Sequence, residues 1–234
     1  MTFCCKRFCL TLMSAIAFFS PAHTSALSLD AEAMVSEVQK TYGALTSLSA
    51  KFNQTIILPG RPGGRQGRGT AVFLQPSFMR WQYDTPEKQL FLNDGSFLTI
   101  YQEQQKQMVL APVGSMDQDL THLIFSGSAP LADTFDIQSA PQEAMPFLTE
   151  EKLRVVRLVP KKTHNQVSVL YLAIGLDNLI HDIRMHDHFE TVTDIHFFDI
   201  RPNSLDISTP EKRRRLIMDL FTFTPPPGTD IIQQ

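Results

Sequence analysis

Between His181 and His196 the chain sets four histidines, His181, His186, His188 and His196, among the carboxylates Asp182, Asp187 and Asp194. Imidazole and carboxylate side chains are the materials of a zinc or proton-transfer site. His186 and His188 are two apart, so an extended backbone would turn both to one side. The spacing fixes no third ligand, however, and the stretch Met185 to Glu190 reads equally well as a polar hairpin turn. We therefore expect no metal and no cofactor. Elsewhere the chemistry is thinner. No nucleophile elbow, phosphate-binding loop or zinc-protease helix occurs. The Gly- and Arg-rich run from Pro59 to Gly69 lies between two strand patterns and does not open a helix, which suits a mobile hairpin loop better than an anion site. Lys212, Arg213, Arg214 and Arg215 form a basic run that is either a solvated helix face or a docking point for an acidic partner or anionic headgroups. The expectation is a protein that is not an enzyme, with a hydrolase built on the His/Asp group as an alternative.

The patterns around these residues are mostly those of antiparallel strands. From Leu29 to Leu48, Met34, Val38, Leu45 and Leu48, with Tyr42 between, recur at helical spacing, and Ser28 or Asp30 can cap the start. The period then changes to two. Six strands follow in meander order: Ser49–Leu58, Thr70–Gln75, Phe78–Asp84, Lys88–Leu92, Ser96–Gln102 and Lys106–Val113. The turn Asn93-Asp94-Gly95 is a strong hairpin signal. Along the third strand Met79, Trp81 and Tyr83 share one face. Short helices are expected near Leu120, Leu123 and Ile124 and near Ala129 to Phe135. Strands resume at Lys152–Pro160, Val167–Gly175, His181–Asp187 and Glu190–Ile200. A helix then begins at Thr209-Pro210, with Thr209 as cap. The last segment, "FTFTPPPGTDII", reads as a strand, a stiff extended crossing and a short terminal strand. A sheet of about ten strands must curl. It can close or stay half-open, with the amphipathic helices covering its concave face.

The first residues have another purpose. Lys6 and Arg7 precede an apolar run from Phe8 to Phe19, and small residues follow, as in a secretory signal peptide. Cleavage is expected after Ala26, with Ala22 as the second choice, leaving residues 27–234 as one domain. All three cysteines lie in the leader, so the exported part must hold itself together by its core alone. The chain carries 21 basic and 24 acidic residues, and losing Lys6 and Arg7 makes the remainder more acidic. This argues against general nucleic-acid binding.

Four segments together resemble one family. Phe52-Asn53-Gln54, Pro76 to Trp81, Asp94 to Tyr101, and the run "LFTFTPPPG" are similar, in order, to the LolA family of outer-membrane lipoprotein carriers. The resemblance implies an α+β, mainly antiparallel fold: an unclosed half-barrel of about ten or eleven strands with an amphipathic helical lid over a hydrophobic cavity. It implies a monomeric periplasmic shuttle. Such a shuttle takes acylated lipoproteins from an inner-membrane ABC release complex to an outer-membrane receptor, and binds no nucleic acid. Met79, Trp81, Tyr83, Leu90, Leu92, Leu98 and Ile100 would line the cavity, and Gln75, Leu120, Leu123 and Ile124 would form lid and latch. One departure stands out. Where the family usually has a latch Arg before the proline of the Trp strand, this chain has Gln75, a neutral and shorter donor. A sensor or scaffold of the same shape, binding lipid or lipoprotein without transporting it, is the alternative reading.

Overall fold

At Asn93 to Phe97, side chains that favour a turn build one. The Asn93 Oδ1 accepts the Gly95 amide at 2.8 Å, and the Asp94 Oδ1 accepts the amides of Ser96 and Phe97, each at 2.8 Å. Gly95 takes the positive φ of 91° that the turn requires. Hairpins of this kind assemble a twelve-stranded sheet. Its strands are β1 (Ser47–Ile57), β2 (Arg65–Leu74), β3 (Phe78–Thr85), β4 (Gln89–Asn93), β5 (Phe97–Gln102), β6 (Gln107–Pro112), β7 (Phe135–Ala140), β8 (Arg154–Pro160), β9 (Val169–Ile174), β10 (Ile180–His186), β11 (Val192–Pro202) and β12 (Asp230–Gln233). Among the described residues the α-helices of defined bounds are α1 (His23–Ala44), α2 (Leu131–Thr134) and α3 (Pro210–Leu220). This computed structural model describes residues 23–61, 63–113, 123–125, 130–146, 153–163 and 166–233.

The strand order is β12-β6-β5-β4-β3-β2-β1-β11-β10-β9-β8-β7. All pairs are antiparallel except β12 with β6, which is parallel. β12 and β7 are the two edges of the sheet, so it is unclosed, as the resemblance implied. Twelve strands exceed the ten or eleven expected, and the extra one is β7. The expectation made Ala129 to Phe135 helical, but the helix stops at Thr134 and Phe135 begins a strand. In β7 only Phe135 and Ile137 are buried. An edge strand with two inward apolar residues gives little alternation to read.

Two other boundaries moved. β2 begins at Arg65, so half of the expected Gly-rich loop is strand. A Cβ on Gly69 would lie 1.9 Å from the Gln82 carbonyl oxygen and 3.0 Å from the Phe52 ring. Glycine there lets neighbouring strands and an aromatic ring meet. At the other end of the chain, residues 221–224 are not a strand. Phe221 ends α3, with its ring wholly buried, and the prolines carry the chain on to β12.

The sheet has apolar clusters on both faces. On the inner face, α1 buries Ala31, Val35, Val38 and Tyr42, one helical stripe, together with Phe52, Trp81, Leu172, Ile183 and Phe197. On the outer face, α3 and Phe221 pack over Leu74, Leu90, Leu92, Tyr101 and Met108.

Candidate functional site

The inner face holds a continuous aromatic assembly. Phe52 on β1 is fully buried, with its ring 4.7 Å from Trp81 and 5.0 Å from Tyr83, both on β3. Phe197 on β11 meets the Trp81 indole edge-on at 5.7 Å. Phe125, in the helical turn 123–125, closes over them. It stacks on Phe73 at 4.8 Å and touches Phe197 and Tyr42 at 5.6 Å each. Ile124 is buried and Leu123 half-buried in the same cluster. Leu120 lies outside the described residues. From Trp81 the face runs on across the register to Phe91, Ile100 and Val109, with Leu98 alongside. Met79 shares the face and lines the end of the assembly near Gln75 and Phe125.

Leu90 and Leu92 do not belong to this face. Trp81 pairs with Phe91, whereas Arg80 and Gln82 pair with Leu92 and Leu90. Both leucines therefore point outward, into the cluster under α3. Every position of Leu90-Phe91-Leu92 is apolar, because β4 is covered on both sides, and period-two reasoning cannot choose a face for such a run.

Neutral hydrogen bonds tie the cover at several points, and Lys161 Nζ adds a charged one to the Ala132 carbonyl of α2 at 2.6 Å. Gln75 Nε2 donates to the Tyr42 carbonyl at 3.4 Å, near the end of α1. The Leu131 amide donates to Gln39 Oε1 at 3.0 Å, joining α2 to α1. The Tyr42 hydroxyl accepts the Ile180 amide at 3.1 Å. Burial raises the pKa of Tyr42 and of Tyr83, so both phenols keep their protons at neutral pH. At the opposite end of the same strands a pocket of about 260 Å³ opens beside Tyr83 and Phe91.

The histidine and aspartate residues lie elsewhere, largely on the outer face of β10 and β11. Arg184 makes a bidentate pair with Asp194 at 2.7 and 2.8 Å. His196 Nδ1 lies 2.6 Å from Asp182 Oδ1. Asp187 accepts the amides of Phe189 and Thr191, as a turn carboxylate does. Burial, and next Arg184, lower the pKa of His186. His181 Nε2 lies 3.4 Å from Asp177 Oδ1. These carboxylates are committed to pairs and turns. The basic run is also dispersed. Lys212 pairs with Asp206 at 2.6 Å, and Arg213 donates to the Gln75 carbonyl at 2.6 Å. Arg214 and Arg215 are exposed.

A curled, unclosed sheet with an aromatic inner face under a helical cover is one recurrent arrangement. The family model for the outer membrane lipoprotein carrier protein LolA matches residues 43–209. The chain belongs to this family. Its similarity to outer-membrane lipoprotein carrier proteins is 25% identity with that of Nitrosomonas europaea, over 81% of this chain and 84% of the relative. With that of Azotobacter vinelandii it is 27%, over 98% and 100%. Among solved structures, an uncharacterized conserved protein from Thermus thermophilus shares the fold, with a TM-score of 0.53 at 12% identity, over 88% of this chain and 99% of that one. Within the LolA family, Phe52, Phe73, Phe125 and Phe197 are the parts of this inner face that sequence reasoning missed. Strand register brings Phe52, Phe73 and Phe197 to Trp81, and Phe125 packs on Phe73 and Phe197 from the helical turn. Phe52 alone carried a signal, in Phe52-Asn53-Gln54.

Proposed function

We propose that this chain is a periplasmic carrier that shields the acyl chains of lipoproteins. It receives them from an inner-membrane ABC release complex and delivers them to an outer-membrane receptor. The observation that carries this reading is the aromatic inner face, closed by a cover that ring contacts and neutral hydrogen bonds tie at Tyr42 and Gln39 and that Lys161 Nζ ties at the Ala132 carbonyl. Acyl chains crossing water unshielded cost about 0.8 kcal/mol per exposed methylene. Complete burial of several chains would be worth tens of kcal/mol, too tight for a shuttle that must let go. The work of lifting Phe125 and its neighbours off Phe73 and Phe197 offsets part of that gain. Binding by partition needs neither proton transfer nor a covalent step. A leader cleaved after Ala26 and a single carrier domain complete the proposal, and such a leader would end within the α1 of the full chain.

The test mixes purified protein with inner-membrane vesicles that contain the release complex and a triacylated lipoprotein. A soluble one-to-one complex in native mass spectrometry, which then loses its lipoprotein to outer-membrane vesicles, is the expected result. A complex that forms but never passes its lipoprotein on would mark a sensor. No complex at all would end the carrier reading.

A further inference from the structure

The pocket beyond Tyr83 differs in chemistry from the rest of the inner face. Strand register turns Gln54 of β1, Tyr83 of β3 and Gln89 of β4 to one side, at the ends of their strands. A Cβ on Gly67 would come 3.4 Å from the Tyr83 ring. Ile56 and Phe91 give the pocket apolar walls. The Tyr83 ring lies 5.0 Å from Phe52 and 6.0 Å from Phe91, so it joins this pocket to the aromatic path toward Trp81.

We propose that this pocket is a headgroup subsite for the uncharged, carbonyl-rich part of an acylated glycerol, with the acyl chains running from it along the inner face. The Gln54 carboxamide hydrogen-bonds the Tyr83 hydroxyl, and with Gln89 these neutral groups keep further N–H and O–H donors for ester and amide oxygens. Burial holds the phenol in its protonated, donating form. The charged side chains at the pocket, Arg65 and Glu87, have opposite signs. A phosphate or carboxylate head would meet repulsion as well as attraction, whereas a neutral ester head is indifferent to both. Size points the same way. At about 260 Å³ the pocket falls below the roughly 300–1,000 Å³ of whole small-molecule sites, so it fits part of a ligand and not a multi-chain lipid entire. The ligand class is the diacylglyceryl thioether that anchors a lipoprotein, in preference to anionic phospholipids or free fatty acids. This inference rests on the carrier reading and adds to it a site that recognises the linkage rather than the chains.

The experiment compares two synthetic lipopeptides of equal chain length. One carries S-diacylglyceryl cysteine, and the other is its dialkyl ether analogue without ester carbonyls. The wild-type protein should bind the diester about tenfold more tightly, the effect of one or two neutral hydrogen bonds. In the Gln54→Leu, Gln89→Leu double variant the two affinities should converge, with loss confined to the diester. Arg65→Ala should change both by less than about twofold. Equal affinity of the wild-type protein for both peptides would overturn the subsite, and this arm does not depend on any variant folding. A preference that survives in the double variant, or disappears on loss of Arg65, would overturn it too. Failure of the wild-type protein to bind either peptide would overturn the carrier reading itself.

Discussion

The two faces of β3 and β4 carry clusters of similar chemistry that are fastened in different ways. On the outer face, Phe221 is sealed among Leu74, Leu90, Leu92 and Tyr101, with Phe78 5.3 Å from its ring. Charged donors hold that cover. Arg80 Nη1 donates to the Leu220 carbonyl at 2.9 Å, and Arg213 donates to the Gln75 carbonyl at 2.6 Å. On the inner face, Phe125 lies on Phe73 and Phe197, and the described ties between Gln75, Tyr42, Gln39 and Leu131 are neutral. A hydrogen bond to a charged group contributes about 1.5–3 kcal/mol, against about 0.5–1.5 for a neutral one. On these ties the outer cover is held more firmly than the Gln75–Tyr42 edge of the inner one, where the single charged tie described is that of Lys161 Nζ to the Ala132 carbonyl of α2 at 2.6 Å. Local hydrophobicity does not tell the two apart. The ties do.

If that contrast is right, Phe221→Ala has the largest effect. Truncating a fully buried Phe under a fixed cover should cost about 3–5 kcal/mol in a denaturant melt, with little change in the uptake of a hydrophobic dye beforehand. Phe125→Ala should cost less, about 2 kcal/mol, because its surroundings can close over the gap. Unlike Phe221→Ala, it should speed dye uptake under native conditions. If the two variants behave alike in both assays, the faces are not distinct.

Gln75→Arg sharpens the comparison by giving the inner cover a charged tie. It should stabilise the cargo-free protein by about 1 kcal/mol and slow dye entry. An unchanged melt and unchanged uptake would show that the latch of the family has moved away from this position.

The pH dependence should also divide the faces. Tyr42 and Tyr83 lie on the inner side, and burial raises both pKa values above the ordinary 10.0. The folded protein thus holds these protons more tightly than the unfolded chain does. Their contribution is complete below about pH 10 and is lost as pH rises through the folded values. Dye uptake should therefore increase in alkali, and Tyr83→Phe should make that increase shallower. The smallest effect belongs to Arg214→Ser with Arg215→Ser. Both side chains are exposed, and the melt should move by less than about 0.5 kcal/mol.

The sequence carried the hairpins well, because alternation and the Asn93-Asp94-Gly95 turn are local signals. It also placed Met79, Trp81 and Tyr83 on one face, since period two suffices within a single strand. It could not place Leu90 and Leu92, whose strand is apolar on both sides, and it offered nothing for β7 beyond two inward residues. The alternating Phe and Thr of residues 221–224 imitate a strand, but Phe221 is drawn down against the outer leucines instead. Gln54 and Gln89 gave no hint of a shared pocket, because they are brought together only through the register of four strands.

Trp81, the only tryptophan, permits the most direct test. It is already 93% buried, at 7% exposure, among Phe52, Phe73 and Phe197, so a simple change in polarity on binding would be small. Bromine atoms placed midway along the acyl chains of a diacylglyceryl peptide quench indole emission only at contact. Binding should extinguish most of the Trp81 fluorescence, while the same peptide without acyl chains leaves it intact. Saturable binding of the brominated peptide with Trp81 emission undiminished would put the chains somewhere other than the inner face.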